Sequence, residues 1–300
     1  MFRSFRSSVM TLVLVLAAAC LAAGCDVTVG LDSARYLDRE KKDFQVSGTP
    51  DLVLTTFDGS IVIRSWDRME VSVEVEKRGA SKRAVEEIKV TTAQAGNRIT
   101  VEVKPPDERH IRVGFSTSRS ARIIVFVPRQ ANIEARSGDG SISIDRVSGR
   151  IQLNTGDGSI KVVDTAGELR VHTGDGTVSL EGVDGRLDVE TGDGSVVLDG
   201  KLEALRLRTG DGTVRVRAED GSKMTDDWEI RSGDGGIRLE LPEPFDAEID
   251  AHAGDGRVSV SDLTVKGDIS RSTVRGQLGA GGRTLRIISN GDGSIRISKS

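Results

Sequence analysis

The sequence is poor in aromatic residues, proline and cysteine. Aromatic residues make up 3% of the 300-residue chain, which argues against a protein that stacks sugars or bases on aromatic platforms. Only 6 prolines stand beside 35 glycines, a balance typical of a folded chain with many turns. The net charge is -4, whereas nucleic-acid binders usually present a basic face. We therefore expect no nucleic-acid partner.

The sequence also lacks an apolar run long enough to form a membrane helix, which needs about 20 residues. Residues 9–24 are nearly all apolar, and Arg3 and Arg6 precede them. This pattern predicts a secretory signal peptide over residues 1–24. Its end, LAAGC, resembles the lipobox of bacterial lipoproteins, and that resemblance implies cleavage before Cys25 and acylation of this cysteine, with palmitate as one acyl group. The alternative is an ordinary signal peptide cut near Ala23.

Both cysteines of the chain, Cys20 and Cys25, lie in this N-terminal segment. A mature chain that begins at Cys25 therefore has no disulfide, and its stability depends on packing. Residues 25–44 are polar and aperiodic, which predicts a tether, with a short helix around Tyr36 to Lys42 as an option. We expect the lipid anchor to attach the protein to a bacterial membrane, facing the periplasm or the exterior of the cell envelope.

What the sequence has in abundance is a repeated Ser/Thr-Gly-Asp-Gly motif. Its aspartates follow one another at a spacing of 18 residues four times, and then at spacings of 23, 21 and 37 residues. A fixed period of this length is typical of a solenoid, in which each repeat forms one turn, or rung. The aspartates are Asp139, Asp157, Asp175, Asp193, Asp211, Asp234, Asp255 and Asp292.

Within each repeat, apolar and polar residues alternate, which indicates strands. The sequence therefore predicts an all-β protein with a single parallel β-solenoid of about 18-residue rungs over residues 131–300. The longer last spacing predicts a degenerate rung around RSTVRG, which begins at Arg271. Residues 45–130 have the same β character with longer excursions, and we expect an N-terminal cap and irregular starting rungs there, with one short helix in SKRAVEEI.

The glycines of the motif predict a tight corner. Two glycines around one aspartate would permit positive φ on either side. A Ser or Thr precedes six of the eight motifs and falls on the inward phase of its strand, so we expect its hydroxyl to bond the neighbouring rung. A second corner is predicted half a repeat away, at Gly149, Gly167 and Gly185.

The stacked aspartates are the candidate metal site. Carboxylates about 4.8 Å apart repel one another, so backbone amides, cations such as Lys161, Arg215 or Arg238, or bound calcium must offset the repulsion. Calcium-binding β-rolls also use 18 residues per turn, but they place aspartate two residues before the apolar residue, where this sequence has glycine. We expect no cofactor, with calcium as the alternative on these residues: Asp139, Asp157, Asp175, Asp193 and Asp211.

Other chemistry has weaker support. The histidines lie far apart, and the sequence has no catalytic triad, phosphate loop or zinc-ligand spacing. An enzyme is not expected, and a carbohydrate-active β-helix enzyme is the less favoured alternative, because it needs acids and bases that converge from separate rungs. Trp228 falls on an inward phase and is expected in the core.

Two repeats are longer than the others, because AEDGSKMTDD and LPEPF lengthen the corner opposite Gly-Asp-Gly. Loops on a rigid scaffold often bind partners. Met224 and Phe245 are apolar residues in these loops and are candidate contacts for a protein or glycan partner. The alternative is a harmless insertion, with Phe245 folded over the core.

The repeats resemble a known family. Strand–SGDG–strand units, FDGSIVIRSWD, VEVEKRG and IIVFVPRQANIEARSGDG are similar to the bacterial putative-adhesin domain of unknown function, a β-solenoid of envelope proteins. The resemblance covers residues 45–300. It implies a surface-exposed, non-catalytic protein that acts in binding or as a structural scaffold, and it supplies no site residues.

Overall fold

The structure is a computed structural model that describes residues 36–105 and 119–300. The predicted signal peptide, the predicted lipid-attachment residue Cys25 and residues 26–35 of the predicted tether lie outside the described residues. The described chain consists of strands and one short helix, α1 (Lys82–Glu86), so the all-β prediction is confirmed. In this part of the chain, no helix has the length and apolar character required to cross a membrane.

The described strands belong to one sheet. In chain order they are β1 (Tyr36–Gln45), β2 (Asp51–Thr55), β3 (Ile61–Trp66), β4 (Glu70–Gly79), β5 (Lys89–Ala95), β6 (Arg98–Lys104), β7 (Arg119–Pro128), β8 (Asn132–Arg136), β9 (Ile142–Asp145), β10 (Ser148–Asn154), β11 (Ile160–Val163), β12 (Ala166–Thr173), β13 (Val178–Thr191), β14 (Val196–Thr209), β15 (Val214–Ala218), β16 (Trp228–Ser232), β17 (Ile237–Leu241), β18 (Ala247–Ala253), β19 (Val258–Ser261), β20 (Val265–Ile269), β21 (Thr273–Leu278), β22 (Thr284–Ser289) and β23 (Ile295–Lys299).

The middle repeats pair in parallel and in register. Ile151 of β10 lies opposite Leu169 of β12, and Leu169 lies opposite Leu187 of β13. β13 and β14 each continue round the second corner, so two runs of strands join into one sheet. We call these runs the front face (β8, β10, β12, the ends of β13 and β14, β16, β22 and β18) and the back face (β9, β11, the starts of β13 and β14, β15, β17, β23 and β19).

The core consists of aliphatic ladders that run from rung to rung. Buried and more exposed residues alternate along most of these strands, and in β13 the alternation holds on both sides of one break at Glu181 and Gly182. Burying one aliphatic side chain contributes about 1.5–3 kcal/mol, so a continuous ladder stabilises each contact between rungs. Trp228 is fully buried, which confirms its prediction as a core residue. One ladder comprises Ile133, Ile151, Leu169, Leu187 and Leu205.

The rungs do not stack in chain order at the C-terminal end. β22 lies between β16 and β18, and β23 lies between β17 and β19. The last motif, at Asp292, is therefore placed between those of Asp234 and Asp255. The segment predicted as a degenerate rung, RSTVRG, instead contributes to β21, which pairs antiparallel with β18 and β20.

The N-terminal end has the same arrangement. β2 lies between β6 and β8, and β3 lies between β7 and β9. The rung made by β2 and β3 is thus enclosed by two rungs that follow it in sequence. Antiparallel strands complete this end, because β4 pairs with β7, β1 with β4, and β5 with β6. These N-terminal strands fall mostly in the region predicted as an irregular cap, whereas antiparallel β20 and β21 depart from the parallel solenoid predicted for residues 131–300.

The predicted tether is also corrected, because residues 36–44 belong to β1. The first eight side chains of β1 are all exposed, so the sequence of β1 lacks the alternation of apolar residues that would indicate a strand. It is held by its backbone pairing with β4 and by Lys77, whose ammonium lies 2.8 Å from the Asp38 carboxylate and also contacts Glu40. Burial alone would lower the pKa of Lys77, but these two carboxylates outweigh it and raise the pKa.

The unexpected rung order can be tested with paired cysteines. Glu240 of β17 lies opposite Ser298 of β23, and neighbouring strands are about 4.8 Å apart, a distance that suits a disulfide. In a chain with Cys20 and Cys25 replaced by serine, Glu240→Cys with Ser298→Cys should oxidise readily, as measured by mass spectrometry of peptides. Glu240→Cys with Ser261→Cys is the control, because β23 separates these residues. A disulfide in the control but not in the first pair would show that the rungs stack in chain order.

Candidate binding surfaces

The Gly-Asp-Gly corners are held by buried hydroxyl groups. The Thr155 hydroxyl donates to the carbonyl oxygens of Gly138 and Gly140 at 3.0 and 2.8 Å. Thr173 donates in the same way to Gly156 and Gly158 of the rung before it, at 3.1 and 2.9 Å. The predicted role of these inward hydroxyls is confirmed, since each one joins two rungs.

The physical reason for the motif's glycines differs from the prediction. Among the described residues, positive φ occurs at the second corner, at Gly149, Gly167 and Gly185, but at none of the glycines of the Gly-Asp-Gly motifs. The motif's glycines instead permit close stacking, because a Cβ on Gly176 would lie 2.1 Å from the carbonyl oxygen of Gly158. The motif thus needs glycine for the approach of neighbouring backbones.

The aspartates form one exposed row along these corners, which we call the aspartate edge. The amide of Asp193 donates to the Asp175 carboxylate, and the amide of Asp211 donates to the Asp193 carboxylate, both at 3.4 Å. These long contacts place a backbone donor beside each of these two carboxylates. In stacking order the row is Asp58, Asp139, Asp157, Asp175, Asp193, Asp211, Asp234, Asp292 and Asp255.

The candidate calcium ligands are therefore all in this row, one per rung. Within residues 36–105 and 119–300, no group of three or more His, Cys, Asp or Glu side chains is placed to hold a metal ion. A cation at this edge would depend on carboxylates from successive rungs.

The front face carries charges of alternating sign. Its central row reads Glu134, Gln152, Arg170, Asp188, Arg206, Glu229, Arg286 and Asp250. Glu229 is the most connected member, with nitrogen–oxygen distances of 2.9 Å to Arg208 and 3.1 Å to Arg231. Burial alone would raise the pKa of Glu229, but the surrounding arginines outweigh it and lower the pKa. The charges of this row therefore neutralise one another.

A groove lies on the front face beside the first inserted loop, residues 219–227. Its volume is about 470 Å³, and Arg170, Asp188 and Arg206 are among the residues that line it. Asp226 of the loop lies 3.7 Å from Arg186, and the Thr225 amide donates to the Glu203 carbonyl oxygen at 2.9 Å. The loop is thus attached to the face rather than extended into solvent.

The two loop residues predicted as partner contacts have packing roles. Met224 is partly buried against the core. Phe245 is buried, and its ring centroid lies 5.3 Å from that of Trp228. Phe245 therefore follows the alternative of folding over the core, while partner contact by the partly exposed Met224 stays a prediction. The apolar character that singled out these residues reflects burial.

The histidines do not converge. His172 is exposed, with its ring nitrogen 3.7 Å from Glu190, and His252 lies five strands further along the front face. At about 4.8 Å per strand the two are roughly 24 Å apart, more than the four rungs counted from the sequence would give, because β22 lies between them. His110 lies outside the described residues.

The family model for Toastrack DUF4097 matches residues 50–298. The chain belongs to this family. Toastrack membership agrees with the adhesin-like domain of unknown function that the repeats resemble. Among curated proteins, none is similar to the chain.

Several solved structures are similar to this Toastrack chain. A "putative lipid binding protein" from Parabacteroides distasonis is 12% identical, with 86% of this chain and 96% of that chain covered and a TM-score of 0.49. A "putative adhesin" from Bacteroides fragilis is 12% identical, with 87% and 97% covered and a TM-score of 0.45. A "putative cell adhesion protein" from Clostridium sporogenes is 14% identical, with 88% and 100% covered and a TM-score of 0.30.

Neighbouring glycines give a sharp test of the close-stacking explanation. A Cβ on Gly235 would lie 1.9 Å from the Gly212 carbonyl oxygen, whereas a Cβ on Gly236 would have its nearest neighbour at 3.5 Å. Gly235→Ala should therefore lower the free energy of unfolding by more than about 2 kcal/mol, as overpacked sites do. Gly236→Ala is the matched control and should leave stability within about 0.5 kcal/mol. Equal effects in urea denaturation would refute the explanation.

Calcium dependence is tested by thermal melts. If backbone amides and solvent suffice for the aspartate edge, added calcium and added chelator should leave the melting temperature unchanged. Asp175→Asn should then change the free energy of unfolding by less than about 0.5 kcal/mol, because it also relieves repulsion along the row. The opposite result, a calcium-induced rise in melting temperature that Asp175→Asn reduces, would assign the row to calcium by mass action.

Proposed function

We propose that the protein is a lipid-anchored, non-catalytic binding or scaffold protein of the bacterial cell envelope. The observation that supports this proposal best is the presentation of polar side chains in register on two faces of one rigid sheet. Each face repeats its side chains at the strand spacing of about 4.8 Å, as expected of a β-solenoid with parallel rungs of about 18 residues. Such a surface suits an extended partner.

Solvation of the two faces favours binding over catalysis. Catalytic groups act most strongly where water is excluded and where their dipoles are fixed. The outward side chains of the described rungs are exposed or half-buried, and the space between the faces is filled by the aliphatic ladders. The partner we propose is a protein or glycan of the envelope that lies along a face, and not a nucleic acid. The scaffold uses no cofactor, with calcium at the aspartate edge as the alternative.

The proposed lipid anchor determines where in the cell the protein acts. In this proposal, acylated Cys25 inserts into the membrane and keeps the protein there, with the sheet facing the periplasm or the exterior of the cell envelope.

Membrane fractionation tests this proposal. Cys25→Ala should move the protein to the soluble fraction and abolish labelling by an alkyne analogue of palmitate, because the acylated thiol is lost. Cys20→Ala is the matched control and should remain labelled in the membrane fraction. Membrane retention of both variants would contradict the anchor, and so would loss of labelling in Cys20→Ala alone.

A further inference from the structure

The back face contains three arginines on consecutive strands. Arg215 of β15 lies opposite Arg238 of β17, and Arg238 lies opposite Arg296 of β23. We call these three residues the arginine row. All three side chains are exposed, and within the described part of the chain none of them has an ion pair or hydrogen bond. This row differs from the central row of the front face, where arginines alternate with acidic residues.

The row exists because of the rung order. Only the placement of β23 beside β17 brings Arg296 next to Arg238, while β19 contributes Ser259 at the following position. Like charges at the strand spacing repel one another, so the row gains stability from any anion that binds along it. Two acids of the same face are already paired, Asp199 with Arg217 at 3.5 Å and Glu181 with Lys161 at 3.4 Å, and Glu240 lies two residues from Arg238 on the same strand.

The row lies in an open groove of about 300 Å³ on the back face. Hydroxyl groups of Thr213 and Ser294 flank it on the side of the aspartate edge, and Arg257 continues that flank, with its amide donating to the Ser294 hydroxyl at 3.3 Å. The other flank carries Arg217, half-buried Glu240 and Ser298, in register. Glu240 is the one acid of that flanking stretch, and the aspartate edge lies beyond the hydroxyl flank on the other side.

We propose that the arginine row binds an acidic linear polysaccharide that runs along the stacking direction. This inference rests on the proposed binding function and names its partner class. Guanidinium groups bind carboxylates through paired hydrogen bonds, and the flanking hydroxyls suit the hydroxyl groups of sugars.

The spacing of the arginines in this row restricts which kind of acidic polymer can bind along it. A ligand must present negative groups on the side that faces the row in steps of about 4.8 Å. A linear polysaccharide with an acidic group on every sugar meets this condition when those groups turn to the same side. An extended acidic peptide repeats its side chains on one side only about every 6.6 Å, so it falls out of register along the row.

The test uses the mature protein in a neutral detergent and oligogalacturonate as the probe, which carries one carboxylate per sugar. Arg215→Gln, Arg238→Gln and Arg296→Gln together should weaken binding by about tenfold or more in isothermal titration calorimetry, with a stronger effect at low salt. The matched control is Arg64→Gln, Arg271→Gln and Arg283→Gln, three exposed arginines that line neither groove, which removes the same charge and should retain affinity. Circular dichroism melts establish that both variants are folded.

Further probes separate the alternatives. The methyl ester of oligogalacturonate has the same sugars without charge and should not bind. If both triple variants lose affinity for oligogalacturonate equally, binding depends on net charge alone. If polyglutamate or phosphatidylglycerol vesicles bind through the row as tightly as oligogalacturonate does, the partner is an acidic peptide or a lipid surface. Each of these results overturns the proposal, as does a wild-type protein that does not bind oligogalacturonate. None of them affects the fractionation result, which tests the anchor separately.

Discussion

Close approach of backbones at the Gly-Asp-Gly corners is the constraint on which the sheet depends. The amide of Gly192 donates to the Gly174 carbonyl oxygen at 2.5 Å, and the Thr173 hydroxyl bonds two carbonyl oxygens of the rung before it. A side chain in place of the motif's second glycine would push the rungs apart at this edge. The aliphatic ladders would then lose contact along their length, because dispersion attraction falls steeply with distance. The same approach fixes the aspartates in one row and the outward side chains in register.

A second device protects the N-terminal end of the described sheet and the front face of its C-terminal end, where an antiparallel strand covers a parallel one. A bare parallel edge would offer unpaired backbone groups to another chain. At the N-terminal end β1 is the outer strand, and its exposed side chains are mostly charged, with Arg39 2.8 Å from Glu76. Charged outer strands of this kind oppose edge-to-edge pairing, so the proposed binding faces remain the broad surfaces and not the ends.

The sequence predicts the repeated part of the fold well, because its periodicity is local. Alternation of apolar residues indicated the strands, and the inward phase of Thr155 and Trp228 indicated their burial. Rung order was not predictable, since β17, β19 and β23 have similar alternation and only tertiary packing decides which two are neighbours. The sequence of β1 gives no strand signal because its side chains are exposed, and the motif's glycines suggest positive φ at the wrong corner because glycine serves two different needs. Phe245 was singled out for its apolar character, which burial explains. The arginine row could not be predicted at all, because Arg238 and Arg296 are neighbours only through the rung order.

The enclosed terminal rungs also bear on how the chain can fold. In a simple repeat protein, each rung can add to the one made before it, so contacts remain local in sequence. Here Trp228 is paired with Leu285, and Ile61 with Ile123, across long stretches of intervening chain. Such non-local pairing slows folding. During synthesis, β16 to β19 emerge before their shared neighbours β22 and β23 exist. The C-terminal end of the sheet can therefore form only after the chain is almost complete. A chain that stops before residue 284 would lack the rung that lies between β16–β17 and β18–β19, rather than an outer rung.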